Sequence, residues 1–266
     1  MRVETSSVTC KGGLPAFVAT PVDGGRRPLI VLMHERYGFV QHTRDLAERH
    51  AREGFVCIAP DFFFKHPDQE ALHRGDVGYR MSDPESIELI DAAVAHMRES
   101  KAVDAEHIAI IGVCQTGRYA VVYAAHRPIS AAVAWYGAAA KREWGVNERV
   151  PIGMDDLIGR LQCPTLGVFG ERDHVISLDD IAAFRASFER HRKSYTIEIF
   201  AGAPHGWLND TMPGRYRREP AEAAWALQKR FLDESFDSRF DRTLAMQRYV
   251  ANISRDYDFS KNIRLE

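Results

Sequence analysis

Along most of the 266-residue chain, short apolar runs alternate with longer segments in which apolar residues recur every three or four positions. That alternation predicts parallel strands joined by helical crossovers, an α/β fold with a mostly parallel central sheet flanked by helices. The runs at 28–33, 55–59, 108–111, 131–135 and 164–169 are near-continuously apolar, as strands covered on both faces should be. The run at 195–200 alternates apolar and polar residues, which places it nearer an edge. Ahead of these, segments at 2–10 and 14–20 read as an antiparallel hairpin turning at Lys11-Gly12-Gly13. Helices are expected at 43–53, stopped by Gly54, and at 115–126, 178–190 and 220–232. Another starts at an Asp83 N-cap with Pro84 in its first turn, and Ile87, Ile90, Val94 and Met97 then share the face that lies on the sheet.

After Phe236 the pattern changes: residues 237–266 are charged and aromatic, with no further strand expected. The organisation read from this is one domain over 1–236 and a C-terminal tail over 237–266. Phe240, Tyr249, Tyr257 and Phe259 favour docking of that tail on the body or on a second copy in a homodimer, whereas its charge density favours solvent. Composition then removes whole classes. Hydrophobic residues at 45% and charged residues at 27% argue against disorder and coiled-coil architecture. Lys and Arg (35) nearly balance Asp and Glu (37), without a long single-sign block, so nucleic acid is not expected as a partner. No stretch approaches the roughly 20 apolar residues of a membrane helix, and Met1-Arg2-Val3-Glu4 does not open a secretory signal, so no membrane partner and a cytoplasmic address are expected. Cys10, Cys57, Cys114 and Cys163 form no CxxC pair; free thiols, and no metal site, are the expectation.

The segment Ile111-Gly-Val-Cys114-Gln-Thr-Gly117 lies between a predicted strand and a predicted helix. A tight turn there needs small neighbours; Gly112 supplies one, while the usual second small position is Thr116, with glycine one residue later. Cys114 would then project from the carboxyl edge of the sheet, with the positive end of the following helix aimed at its sulfur. Two later loops each supply a partner. Asp173 follows the strand ending at Phe169, and His205 follows the strand ending at Phe200. Nucleophile, acid and base thus occur in the order this topology requires, with Asp173 orienting the imidazole and His205 exchanging protons with the sulfur. Loop caps or solvated side chains are the reading for His174, Asp179, Asp180 and His191.

Taken together, Leu32-Met-His-Glu35, the Gly-Val-Cys114 turn, Gly170-Glu-Arg-Asp173 and His205-Gly206 resemble the dienelactone hydrolase family, over roughly residues 28–232. The resemblance implies a single-domain α/β-hydrolase fold, no metal or organic cofactor, and a Cys-His-Asp triad. It also implies a glutamate that contacts the nucleophile. These roles fall on Cys114, His205, Asp173 and Glu35. Glu35 reads as a switch or proton acceptor, or alternatively as the partner of Arg36, Arg80 or Arg118. Backbone N–H groups of Gln115 and Arg36 would form an oxyanion hole. The implied reaction is hydrolysis of a small lactone or ester through an acyl-thioester. A substrate carboxylate would be held by arginine, with Arg80 preferred and Arg215, Arg217 and Arg218 later in the chain. Tyr136 and Trp207 would line the pocket, and the long connections 62–78 and 138–155 would close it. A broad carboxylesterase or thioesterase, and a non-catalytic ligand-binding protein, are the alternative functions.

Overall fold

The computed structural model describes residues 1–266. Strands β1 (Val3–Cys10) and β2 (Leu14–Pro21) form the N-terminal hairpin, with Leu14 of β2 opposite Cys10. Next come β3 (Arg27–Met33), α1 (Gln41–Arg52), β4 (Val56–Pro60), α2 (Gln69–Arg74), α3 (Asp83–Arg98), β5 (Val103–Val113), α4 (Gly117–His126) and β6 (Ala131–Trp135). The chain continues through α5 (Met154–Arg160), β7 (Thr165–Arg172), α6 (Leu178–Arg190), β8 (Tyr195–Pro204), α7 (Arg218–Phe236) and β9 (Gln247–Ala251). All nine strands share one sheet, in the order β1-β2-β4-β3-β5-β6-β7-β8-β9, antiparallel at β1-β2-β4 and parallel from β4 through β3 to β9.

Because β3 to β7 lie inside the sheet, each alternate side chain enters one of two cores, which is why their sequences are apolar on both parities. One core packs Leu46 and Ala51 of α1 and Ala224, Trp225 and Phe231 of α7 against Ile30, Ile111 and Val133. The other packs Ile90, Val94, Tyr119, Leu157, Phe184 and Phe188 from α3 to α6 against Val31, Ile110 and Ala132. The sequence reading differs at the short helices α2 and α5, which it reads as long connections, and at strand β9. All five residues of β9 are exposed, so it carries no apolar signature and joins the sheet through its backbone against β8. Helix α3 differs in its cap: Ser82 is the N-cap and forms a capping box with Glu85. Asp83 is instead buried against Arg118, accepting from Nε at 2.9 Å and Nη2 at 2.8 Å. Arg118 also donates to the carbonyls of Glu143 and Ile152, which pins the connection after β6 onto the start of α3.

Two buried histidines, His34 just after β3 and His50 in α1, tie neighbouring elements together as neutral rings. His34 Nδ1–H donates to the Glu35 carbonyl, and its Nε2 accepts from Phe62 N at 3.1 Å. His50 Nδ1–H donates to Leu46 O while Nε2 accepts from the Gln228 amide, whose oxygen accepts from Trp135 Nε1 at 2.6 Å. Burial pushes both down to about 4 from the ordinary 6.5. Between those values the unfolded chain binds protons that the folded chain does not, so stability is full above pH 6.5 and falls as the pH drops toward 4. Urea unfolding from pH 7 to 4.5 should show a loss of up to ~3 kcal/mol per histidine. In a His50→Gln variant the slope should flatten; an unchanged slope in that variant would contradict the assignment to His50.

Candidate active site

The carboxyl ends of β3, β5, β7 and β8 converge on one edge of the sheet, and each contributes one of the residues singled out by the sequence. At the end of β5 the chain turns through a 3₁₀ segment, Cys114–Thr116, before α4, and Cys114 itself sits at φ 60°. A left-handed conformation at a residue with a side chain is strained, and it holds the thiol out of the turn. The turn is possible because its neighbours lack side chains. A Cβ on Gly112 would lie 2.2 Å from the Thr116 carbonyl oxygen, and one on Gly137, after β6, 2.2 Å from that of Cys114. Thr116, at the position where a small residue is usual, is buried and braces the bend: its Oγ1 accepts from Val113 N at 2.9 Å and lies 3.0 Å from the His34 carbonyl.

Cys114 Sγ is 3.2 Å from His205 Nε2, and His205 Nδ1 is 2.8 Å from Asp173 Oδ2. The other oxygen of fully buried Asp173 accepts from Val175 N at 2.7 Å and Ile176 N at 3.1 Å, so the loop after β7 fixes the carboxylate. Burial opposes a charge on His205, but the Asp173 carboxylate and the Cys114 sulfur outweigh it and raise the ring well above the ordinary histidine range. An imidazole with one nitrogen on a carboxylate and the other on a thiol can move a proton to and from the sulfur.

Glu35 lies behind these groups, nearly buried, and no arginine holds it. Its oxygens accept from Tyr136 OH at 3.1 Å and Asn209 Nδ2 at 2.7 Å. Of the three arginines considered as its partners, Arg36 donates to the Gly75 carbonyl, Arg118 donates to Asp83, and Arg80 lies on the cavity wall. Burial, and then the charge of Glu35, hold the Tyr136 phenol well above its usual range, so it remains a donor. The expectation that Tyr136 and Trp207 line the pocket is corrected here. Both are 0% exposed; Trp207 packs on Trp135, Tyr136 and Phe200, and Tyr136 packs edge-on to His205 at 5.2 Å between centroids. They support the site from within the core.

In front of Cys114 and His205 opens a cavity of about 510 Å³ whose wall includes Arg36, Gln115, Arg80 and His174. Gln115 is anchored by its amide, which donates to the Tyr79 carbonyl at 2.7 Å. Arg215 also faces this space although it is almost buried, held by Tyr37 OH at 2.9 Å and the Leu265 carbonyl. Arg217, by contrast, turns back onto the Gly214 and Tyr216 carbonyls. His174 is not a solvated loop residue: it lines the cavity with its ring 5.7 Å from His205, and burial, His205 and then Arg215 and Arg264 outweigh Asp173 and lower it. Arg142, Arg149 and Arg264 also line the wall. Sequence reasoning missed these three, because an arginine in a long connection or a tail carries no periodic signal. It also missed Asn209, four residues past His205.

No helix is long and apolar enough to cross a membrane, and no cluster of His, Cys, Asp or Glu is arranged to hold a metal ion. Comparison with known proteins gives one consistent answer. A carboxymethylenebutenolidase homologue of Methylorubrum extorquens is 30% identical over 80% of this chain and 74% of its own length. A 2-oxo-3-(5-oxofuran-2-ylidene)propanoate lactonase homologue of Bradyrhizobium sp. is 28% identical over 79% of this chain and 85% of its own. The crystal structure of a dienelactone hydrolase homologue from Klebsiella pneumoniae superposes with a TM-score of 0.79 at 26% identity, covering 88% of this chain and 99% of the other. The model of the dienelactone hydrolase family matches residues 14–236. With that match spanning β2 to α7 and the Cys114, Asp173 and His205 loops, the chain belongs to the dienelactone hydrolase family, hydrolases of ester and lactone bonds.

Proposed function

We propose that this protein hydrolyses small carboxylate-bearing esters or lactones through a Cys114-His205-Asp173 triad and an acyl-thioester intermediate. The observation that carries this reading is the unbroken chain from Sγ to Nε2 at 3.2 Å and from Nδ1 to Oδ2 at 2.8 Å, opening onto the cavity. His205 accepts the thiol proton as the sulfur attacks the carbonyl carbon, and the carbonyl π electrons move onto oxygen. Backbone N–H groups of Gln115 and Arg36 receive that oxyanion. When it collapses, the C–O bond to the leaving group breaks, and the departing alkoxide takes the proton from His205. His205 then draws a proton from water, the resulting hydroxide attacks the thioester, and the thiolate leaves. Asp173 keeps the Nδ1–H tautomer facing itself throughout.

Glu35, held by two neutral donors, Tyr136 and Asn209, is proposed as a switch, or as an alternative to His205 as acceptor of the Cys114 thiol proton. Arg80, on the cavity wall, is the proposed ligand of a substrate carboxylate. Four free, buried thiols fit a reducing compartment, and we assign the protein to the cytoplasm.

Iodoacetamide labelling followed by peptide mapping tests the reactive pair. Burial raises the Cys10 thiol, pushes Cys163 up to about 12 and raises Cys57 further, leaving those three inert. At pH 6 the label should go to Cys114, and His205→Ala should slow it by about tenfold or more. Equal rates in the two proteins, or label spread over all four cysteines, would count against the pair.

A further inference from the structure

The chemistry of the cavity wall says more about the substrate than a single carboxylate requires. Arg36, Arg80, Arg142, Arg149, Arg215 and Arg264 all line it, with no aspartate or glutamate among the fourteen lining residues, in a chain whose formal charge is −2. Their ion pairs are confined to Arg142 with Glu143, and Arg215 and Arg264 with Glu266. Arg36 and Arg149 spend donors only on carbonyls, of Gly75 and Arg80 respectively. Guanidinium groups gathered around one cavity repel each other, and the repulsion is relieved when anions enter.

The arginines fall into two groups. Arg80, Arg142 and Arg149 come from the segments after β4 and β6. They cluster beside Gln115, where the same three line an adjoining recess with Gln115 and Tyr119 that includes neither Cys114 nor His205. Arg215 and Arg264 instead lie near enough to His174 to act on its charge, and the His174 ring is 5.7 Å from that of His205. Arg36 lies 5.5 Å from the Tyr37 ring centroid, and Tyr37 OH accepts from Arg215.

Arg264 belongs to the tail, outside the residues 14–236 that match the family. Its position is nevertheless built. After β9, Ser254 Oγ donates to buried Glu171 at 2.9 Å, and Tyr257 OH accepts from Leu178 N. Asn262 Nδ2 then donates to the carbonyls of Glu171 and Asp173. The tail thus crosses the Asp173 loop and ends with Arg264 on the cavity wall and the Leu265 carbonyl on Arg215 Nε.

We infer that the substrate is an ester or lactone carrying two anionic groups, one on each side of the scissile carbonyl. The Arg80, Arg142 and Arg149 group receives one anion, and Arg215 with the tail residue Arg264 receives the other. This rests on the cysteine-hydrolase reading above and adds the substrate class to it.

Four aryl esters separate the two ideas: phenyl acetate (neutral), phenyl hydrogen succinate (acyl-side anion), 4-acetoxybenzoate (leaving-group anion) and 4-(succinyloxy)benzoate (both). The dianion should exceed either monoanion by about tenfold in kcat/KM, through KM, since each charge-assisted contact is worth on the order of tenfold. Arg264→Ala and Arg149→Ala should each lower the dianion's advantage over phenyl acetate by about tenfold, with opposite preferences between the two monoanions. A dianion no better than the better monoanion, or both variants weakening the same monoanion, would overturn the inference. If phenyl acetate is still hydrolysed in a Cys114-dependent way in that case, the cysteine-hydrolase reading survives alone; turnover of none of the four counts against both.

Discussion

Asp173→Asn should lower kcat by about a thousandfold or more while the protein stays folded. The size follows from what the side chain can offer at each end. Val175 N and Ile176 N both point donors at Oδ1, so the amide of an asparagine must keep its oxygen there and turn its NH₂ toward His205 Nδ1. Two donors then face each other across the 2.8 Å gap. The ring relieves the clash by moving its proton to Nε2, where it meets the Cys114 sulfur as a donor and no longer accepts a proton from it. The Asp173 charge is the largest influence raising His205, so its loss also removes the main support of the imidazolium. Both loop hydrogen bonds persist in this arrangement, and the melting temperature should move by only a few degrees. A kcat within tenfold of wild type would show that Asp173 does not position the imidazole.

Most of the fold was readable from pattern because the interior strands are covered on both faces and punctuated by turns. The Leu29–Met33 and Ala131–Trp135 segments are buried at every residue, and such short apolar runs bounded by turn signals suit interior strands. What escaped lacks that signature. β9 is exposed throughout and joins the sheet by backbone pairing with β8, so composition reads it as tail. The α3 cap was displaced by one residue because Ser82 and Asp83 are both good caps; only the tertiary demand of Arg118 for a buried carboxylate decides between them.

The same distinction divides the site. Cys114, Asp173 and His205 were legible because each sits at a strand end whose position is fixed by the hydrophobic pattern and whose order is fixed by topology. Trp207 and Tyr136 were misplaced because residue type does not say which side of a wall an aromatic ring occupies. The strand and loop geometry turns both into the core. The arginine wall is a property of the assembled surface: its members lie between residues 36 and 264 and meet only after the loops of β3, β4, β6 and β8 and the tail have been brought together.

The central claim, that the Cys114 sulfur is the nucleophile, is tested most directly by Cys114→Ala. The substitution removes one sulfur from a side chain at the cavity wall and leaves the Gly112 and Gly137 contacts and the Thr116 brace in place. Alanine at φ 60° keeps the strain already present, so the fold should hold. His205, Asp173 and the proposed oxyanion donors remain, and water activated by the imidazole is the only nucleophile left. Turnover of phenyl acetate should fall by on the order of a thousandfold or more, with unchanged circular dichroism and unfolding midpoint. A folded Cys114→Ala protein that turns over phenyl acetate within tenfold of wild type would contradict the account.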